Sequence, residues 1–434
     1  MENNLENVIA IEYVDIDLLK MYPGNPRKFN DASIKEMMNS LQEHGFASPL
    51  LVNTAPGREN VILSGNLRLV ASQRLKLKKV PVVKLHIVDQ RKEQDLLLKM
   101  NISNGEWDYD LLKSFDIEIV VGAGFKDLEL ANIFDDTLET EDDNFNVMKA
   151  LNAIKQPKAR NGDLFQIGNH MILCADSLDE NMVSKLMHGN LADMVYTDSP
   201  FNIGLDYNGG LGGKSAYGGH VDDKKTDIEF REFLKKSIQN AIRFTKPDAH
   251  YFYYSDPNYV WLIQTLYHEL GIKPVRTCLW IKNGLNPTPK QAFNRCYEPV
   301  IYGVRNRPYI SPKCPNLTEI LNREIATGNR QNDDLLDQLD IWMVKRISGQ
   351  DYTHPTEKPP TLHEKALRRC TKPGDIVLDF FGGSGSLMVA CEQLKRTCLM
   401  VEKEPIFVDL IINRMELLTG KNAKKISGGQ DGKQ

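Results

Sequence analysis

The sequence predicts an α/β protein: a doubly wound sheet with helices on both faces, preceded by a smaller α+β unit. Three observations predict it. From residue 162 to about 418, short apolar runs alternate with helix-like segments, the pattern of a parallel sheet covered on both sides. One run, Val377-Leu378-Asp379-Phe380-Phe381, leads into Gly382-Gly383-Ser384-Gly385 and then a helical stretch. At 434 residues the chain is also too long for one ordinary core.

Composition narrows the class. Hydrophobic content of 41% and charged content of 26% are those of a soluble globular chain. No apolar run reaches bilayer length, and Met1 to Glu6 lacks the basic start of a signal peptide, so no membrane partner is expected. Seven cysteines without a Cys-x-x-Cys pair argue against a disulfide framework or a zinc module, and point to a reducing cytoplasm. No His/Cys/Asp cluster has ligand spacing, so no metal is expected. Residues 1–150 carry 17 Lys+Arg against 25 Asp+Glu, and the remainder 37 against 33. A polyanion would lie more naturally against the second part.

In chain order, residues 10–90 alternate strands and helices. Val61 to Gly65 reads as a strand ending in a turn, Leu67 to Leu75 as a helix, and Val80 to Leu85 as a strand. Residues 91–135 read as mostly helical. The acidic run 135–144 reads as a solvated linker. Asp163 to Cys174 reads as two strands around a Gly-Asn turn. The tail from Gly420 is Lys/Gly-rich and is expected to be disordered. The expected division is therefore a first domain over 1–100, a helical extension and linker over 101–156, a main domain over 157–420, and a tail over 421–434.

After strand 376–381, glycines at 382, 383 and 385 suit a tight turn that a ligand can approach closely. The next strand, Cys398 to Val401, ends in Glu402, where a doubly wound nucleoside site places the acid that accepts from ribose hydroxyls. Met388 stands where a dinucleotide motif needs its third glycine. That favours S-adenosylmethionine, which has no pyrophosphate, over NAD. Gly209 to Ser215 looks like a phosphate loop but lacks the required spacing and a preceding strand, so no ATPase is read there.

A second site follows the strand Ala192 to Thr197. An exocyclic amine on a base is a poor nucleophile because its lone pair is delocalised into the ring. Asp198 and the carbonyl of Ser199 can each accept one of its N–H bonds, and Phe201, after Pro200, can stack on a base taken out of the duplex. Read alone, Asp198 is better explained as a helix N-cap than as a catalytic group, and Phe201 reads as core, Glu402 as a surface acid and His354 as a loop residue.

Thr197 to Asn202 resembles the Asp-Pro-Pro-Tyr motif of the amino-group DNA methyltransferases, which make N6-methyladenine or N4-methylcytosine. Gly162 to Phe165 and Leu173 to Ser177, with Asp176, resemble the lead-in of that family. His354-Pro355-Thr356-Glu357-Lys358-Pro359 is similar to the segment that lines its methionine pocket. The motif order is that of the β group, and residues 157–418 are covered. The resemblance implies a Rossmann-like methyltransferase sheet and S-adenosyl-L-methionine as cofactor. The residues it implies around the cofactor are Asp176, His354, Thr356, Lys358, Asp379, Phe381, Gly382, Gly383, Ser384, Gly385 and Glu402. It implies double-stranded DNA as substrate, adenine N6 ahead of cytosine N4, and it admits a homodimer and a partner nuclease. Ser199 and Phe201 depart from the family's Pro and Tyr, and the lost proline predicts a freer backbone. A C5-cytosine enzyme is disfavoured because no Pro-Cys pair exists.

Target recognition is expected within 283–353 and the loop 205–225, with Lys214, Arg295, Arg305, Arg307, Lys345 and Arg346 as DNA contacts. An ordinary surface insertion explains that stretch equally well. Asn25-Pro26-Arg27, the helix from Ile34, and Ser64 to Ala71 resemble the N-terminal domain of ParB partition proteins over residues 9–100. Asn66 and Leu67 replace two members of that family's Gly-Glu-Arg-Arg box, so CTP binding is not carried over. Arg27, Arg68 and Arg74 are phosphate contacts or a solvated face. Two rivals remain: a ParB-like DNA-binding protein with a weakened methyltransferase part, and an enzyme acting on RNA or protein amines.

Overall fold

Strands at the centre of the main sheet are apolar along most of their length because both of their faces are covered. The computed structural model describes residues 10–101, 106–135, 138–204, 224–286, 295–312, 339–344 and 358–427. Two compact units divide at Asp136/Thr137.

In the first unit, β1 (Ile11–Asp15), β3 (Leu50–Asn53), β4 (Val61–Ser64) and β5 (Lys79–Leu85) form a sheet in the order β1-β5-β3-β4. β2 (Arg27–Lys28) pairs apart from it with β6 (Glu106–Trp107). Leu50, Val52, Ile62, Leu69, Val80 and Val82 make the core. The helix Asn66–Arg74 starts after Gly65, whose φ of +99° only glycine adopts cheaply, and Leu50 lies 3.1 Å from where a Cβ would sit.

The second unit is built on β7 (Leu164–Ile167), β8 (His170–Cys174), β9 (Ala192–Thr197), β10 (Thr245–Tyr254), β11 (Lys273–Asn286), β12 (Arg295–Arg305), β13 (Ile341–Met343), β14 (Ile376–Asp379), β15 (Thr397–Glu402) and β16 (Lys424–Ser427). They form one sheet in the order β13-β11-β12-β10-β9-β14-β15-β8-β7-β16. β10, β9, β14, β15 and β8 run parallel. Strand order reverses between β9 and β14, the topological switch point where open sheets bind ligands. Side chains alternate between faces: Met194, Val377 and Met400 enter one core, and Val195, Leu378 and Leu399 the other. The helix Asp227–Arg243 opens with a Thr226/Glu229 capping box. The helix Pro405–Thr419 starts on proline and ends at Gly420, φ +67°.

The structure departs from the sequence reading in four places. The sheet is mixed, because β12 runs antiparallel to both β10 and β11. Most of β12, expected in an irregular recognition segment, is core strand: Val300 and Ile301 are fully buried. The acidic run, expected as a solvated linker, is anchored from residue 138 onward. Asp143 forms a bidentate ion pair with the buried Arg414, at 2.6 and 2.7 Å. Val147 and Leu151 pack on Phe407 and Leu410. Charge density alone suggested solvent, but the counter-charge lies about 270 residues further on. Finally, the tail from 424 adds β16 against β7, and residues 428–434 lie outside the described residues. Among the described residues no helix is long and apolar enough to cross a membrane.

Candidate active site

The parallel pairing of β9 with β14, Val195 beside Leu378, sends both strands out at the same edge of the sheet. The two loops are joined there. Thr197 Oγ1 donates to Asp379 Oδ1 at 2.8 Å and accepts from the Phe380 N–H at 3.2 Å. Asp198 and the glycine turn therefore share one cleft.

Each glycine of the turn has its own reason. A Cβ on Gly382 would lie 2.8 Å from Met400 Sδ, and one on Gly385, φ +79°, would lie 3.0 Å from Ile411. Both are packing demands. Gly383, φ +53°, meets nothing nearer than a carbonyl at 3.9 Å, so its bare face is the one open to a ligand. The Gly383 N–H donates to Glu402 Oε2 at 2.8 Å, and the Glu404 N–H to Glu402 Oε1 at 2.8 Å. Burial pushes the carboxyls of Asp379 and Glu402 up to about 7. Two buried carboxyls suit a ligand offering hydroxyl and ammonium donors, so the residues fit an adenosylmethionine-type group. Ser384 and Phe381 are half-buried in the same loop, Phe381 near Phe233 at 5.8 Å between ring centres. Asp176, after β8 at the same edge, accepts from the Leu178 N–H and from Lys403, both at 2.9 Å. His354 and Thr356 lie outside the described residues.

On the β9 side, Ser199 stands where proline was expected and is buried. Its hydroxyl donates to the Tyr254 carbonyl at 3.3 Å, tying the loop to the end of β10. The expected loosening is thus countered by a bond that proline cannot make. Replacing Ser199 by Ala should lower kcat by about fivefold, the worth of roughly one neutral hydrogen bond, with cofactor affinity unchanged. Steady-state kinetics beside calorimetric titration would check this. Asn202, φ +56°, clamps the other flank: its amide accepts from the Lys225 N–H at 2.7 Å and donates to the Lys225 carbonyl at 2.9 Å.

Lys358, expected at the cofactor, instead reaches the β9 loop. Its buried ammonium pairs with Asp198 Oδ2 and lies 3.5 Å from Glu298 Oε2, while Lys282 pairs with Glu298 Oε1. Rings of Tyr254, Phe201 and Trp280 surround it at 4.4, 5.6 and 5.9 Å. Burial raises the Asp198 carboxyl, with Lys358 opposing and Glu298 adding to the rise. Lys358 is held above its usual range, against its burial, by the two carboxylates. Among the described residues, Asp198 Oδ1 is buried and has no hydrogen-bond partner. Sequence reasoning missed Glu298 and Lys282; the only signal was one acid within the apolar run from Tyr297 to Val304.

The expected DNA contacts scatter. Arg295 sits at the site's edge but is bonded to Asp256 at 2.9 Å. Arg305 lies opposite Ala249, and the Arg307 backbone N–H donates to Asp248 Oδ1 at 3.1 Å. Both are at the other edge of the sheet from Asp198, because β12 runs against β10. Lys214, Lys345 and Arg346 lie outside the described residues. In the first unit, Arg68 donates to the carbonyls of Ser48 and Pro49, at 2.5 and 3.0 Å. Arg74 pairs with Asp31 at 2.8 Å, and Arg27 stacks on Trp107 at 3.9 Å.

Comparison with known proteins agrees with this architecture. A DNA methylase family model matches residues 192–413, and a ParB N-terminal domain model matches residues 2–102. The chain is 25% identical over 239 residues to the type II methyltransferase M2.DpnII of Streptococcus pneumoniae, covering 52% of this chain and 82% of that one. It is 24% identical over 324 residues to the type II methyltransferase M.BamHI of Bacillus amyloliquefaciens, covering 70% and 71%. Among solved structures, the M1.HpyAVI–SAM complex is 20% identical with a TM-score of 0.38, covering 56% of this chain and 98% of that one. The chain belongs to the DNA methylase family, with a ParB-like domain fused ahead of its methyltransferase sheet.

Proposed function

We propose that the chain moves a methyl group from S-adenosylmethionine to an exocyclic amine of double-stranded DNA, adenine N6 ahead of cytosine N4. One observation carries the reading: a buried carboxylate oxygen without a partner, Asp198 Oδ1, stands beside the glycine turn. The cofactor supplies a sulfonium methyl that a nitrogen lone pair can displace. Asp198 Oδ1 and the Ser199 carbonyl accept the two N–H bonds of the amine, which draws its lone pair out of the ring and offsets positive charge as the new bond forms. Phe201, half-buried after Pro200, gives the base an aromatic face to stack on. Glu402 and Asp379 orient the cofactor, and Asp198 Oδ1 holds the proton that the amine must lose. The preference for adenine rests on the Asp-led motif.

The test uses tritiated adenosylmethionine and mixed-sequence duplex DNA, followed by nucleoside chromatography. Label in N6-methyldeoxyadenosine is expected. Label in N4-methyldeoxycytidine would overturn the choice of base. DNA binding without label would favour the ParB-like rival, and label in RNA or protein alone would move the substrate class.

Asp379 and Glu402 also set a pH dependence. Their folded carboxyls ionise near 7, above the usual carboxylate range, so the stability tied to their neutral forms is present in acid and is lost as pH rises toward 7. A ligand donating to the ionised forms gains over the same window. Affinity for S-adenosylhomocysteine should rise about tenfold from pH 6 to 8 for each carboxyl that must ionise, while the ligand-free melting temperature falls. Calorimetry and thermal melts across that range would check it, and a flat affinity would remove both carboxyls from the cofactor site.

Recognition of sequence is assigned to side chains within 283–353 and 205–225, excluding Arg305 and Arg307 for the geometric reason above. The first unit is read as a nucleic-acid-binding or assembly accessory.

A further inference from the structure

We propose that the strap over residues 138–159 positions the cofactor turn, acting through Asp143 and Arg414. This rests on the cofactor reading above. Arg414, on the helix after β15, has a side chain only 1% exposed, and that of Asp143 is 3% exposed. The guanidinium divides its bonds between two segments. Nε and Nη2 hold both oxygens of Asp143, and Nη1 donates to the Ser384 carbonyl at 2.9 Å. Ser384 lies inside the turn, and the N–H of the next residue, Gly385, donates to the Gly382 carbonyl at 2.9 Å. The Ser384–Gly385 peptide plane is therefore fixed from both sides, once within the turn and once by the strap.

The strap is itself held along its length. The Glu141 backbone exchanges two bonds of 3.1 Å with the side chain of Gln393, on the helix that follows the turn. The Thr140 N–H donates to Glu364 at 3.0 Å, and the N–H groups of Lys158 and Ala159 donate to Asp409 at 2.5 and 3.0 Å. Phe145 lies 5.3 Å from the Arg414 guanidinium. With the Asp143 charge removed, Arg414 is a buried cation whose nearest strong acceptor is the Ser384 carbonyl. It then pulls on the turn or leaves its site. In either case Gly383, one residue away, no longer presents the same face. Asp143 touches no ligand; it is a positioning residue.

The experiment measures equilibrium binding of S-adenosylhomocysteine by calorimetry, together with kcat and KM, in the full chain. In Asp143→Asn the dissociation constant and the cofactor KM should each rise about tenfold, with kcat at saturating cofactor nearly unchanged. Gln393→Ala, which frees the strap without stranding a charge, should move both in the same direction by about threefold and decides the matter if the first variant does not fold. Thr140→Val removes the bond from the Thr140 hydroxyl to Glu364, loosening the strap away from the turn, and should lower the melting temperature alone. Unchanged affinity in both Asp143→Asn and Gln393→Ala, with lower melting temperatures, would overturn the proposal and leave the strap a purely structural brace. A loss confined to kcat would overturn it as well. If the unaltered chain bound no S-adenosylhomocysteine, the cofactor reading would fall and this inference with it.

Discussion

Asp198→Ala is expected to reduce methyl transfer to DNA by about a thousandfold while S-adenosylmethionine still binds. The carboxylate lies at the end of β9, and the cofactor turn is built by β14, β15 and the strap, so removing the one leaves the other standing. What disappears is the acceptor for the amine N–H. The Ser199 carbonyl alone then accepts from the amine, so the lone pair stays largely delocalised, and the positive charge of the transition state faces Lys358, which repels it. The loss should therefore appear in kcat, and Asp198→Asn, which keeps an acceptor oxygen but no charge, should fall between the two. Single-turnover transfer with labelled cofactor, beside an equilibrium titration, reads both quantities. Retained turnover would remove this carboxylate from the reaction, and lost cofactor binding would mean that the two loops fold as one.

Glu298→Gln should lower the unfolding free energy by about 3 kcal/mol, because it removes the carboxylate that both Lys282 and Lys358 face in a buried site. The consequence for chemistry is a shift in pH dependence. Glu298 helps to raise the Asp198 carboxyl. Without that charge the Asp198 carboxyl moves down, and the acid limb of the kcat profile moves to lower pH. At the same time Lys358 is committed wholly to Asp198, and kcat on the plateau should fall about tenfold. Urea unfolding and a kcat–pH profile test the two halves separately. An unaltered profile would mean that Glu298 only balances charge.

What could be read from the sequence was what is local. The apolar run ending in Gly382-Gly383-Ser384-Gly385, the Asp198 loop and the hairpin around Gly168-Asn169 each announce themselves within a dozen residues. Val61 to Leu85 did so as well, since strand, glycine and helix follow one another directly. What escaped was paired at long range. β12 carries Glu298 and Pro299 side by side, and its status as a core strand is set by β10 and β11 lying on either side. Lys358 sits in a segment resembling a cofactor motif, yet its long side chain reaches a carboxylate 160 residues away. Ser199 looked like a loss of rigidity because the acceptor of its hydroxyl, the Tyr254 carbonyl, belongs to a different strand. The acidic run looked solvated because Arg414 could not be seen to answer it.

The docked strap also changes where this protein can be cut. A fragment starting at residue 157, where the methyltransferase resemblance begins, would discard Asp143, Phe145, Val147 and Leu151, exposing Phe407 and Leu410 and stranding the Arg414 cation. Excision has to fall before residue 138 for the catalytic half to leave with its own brace.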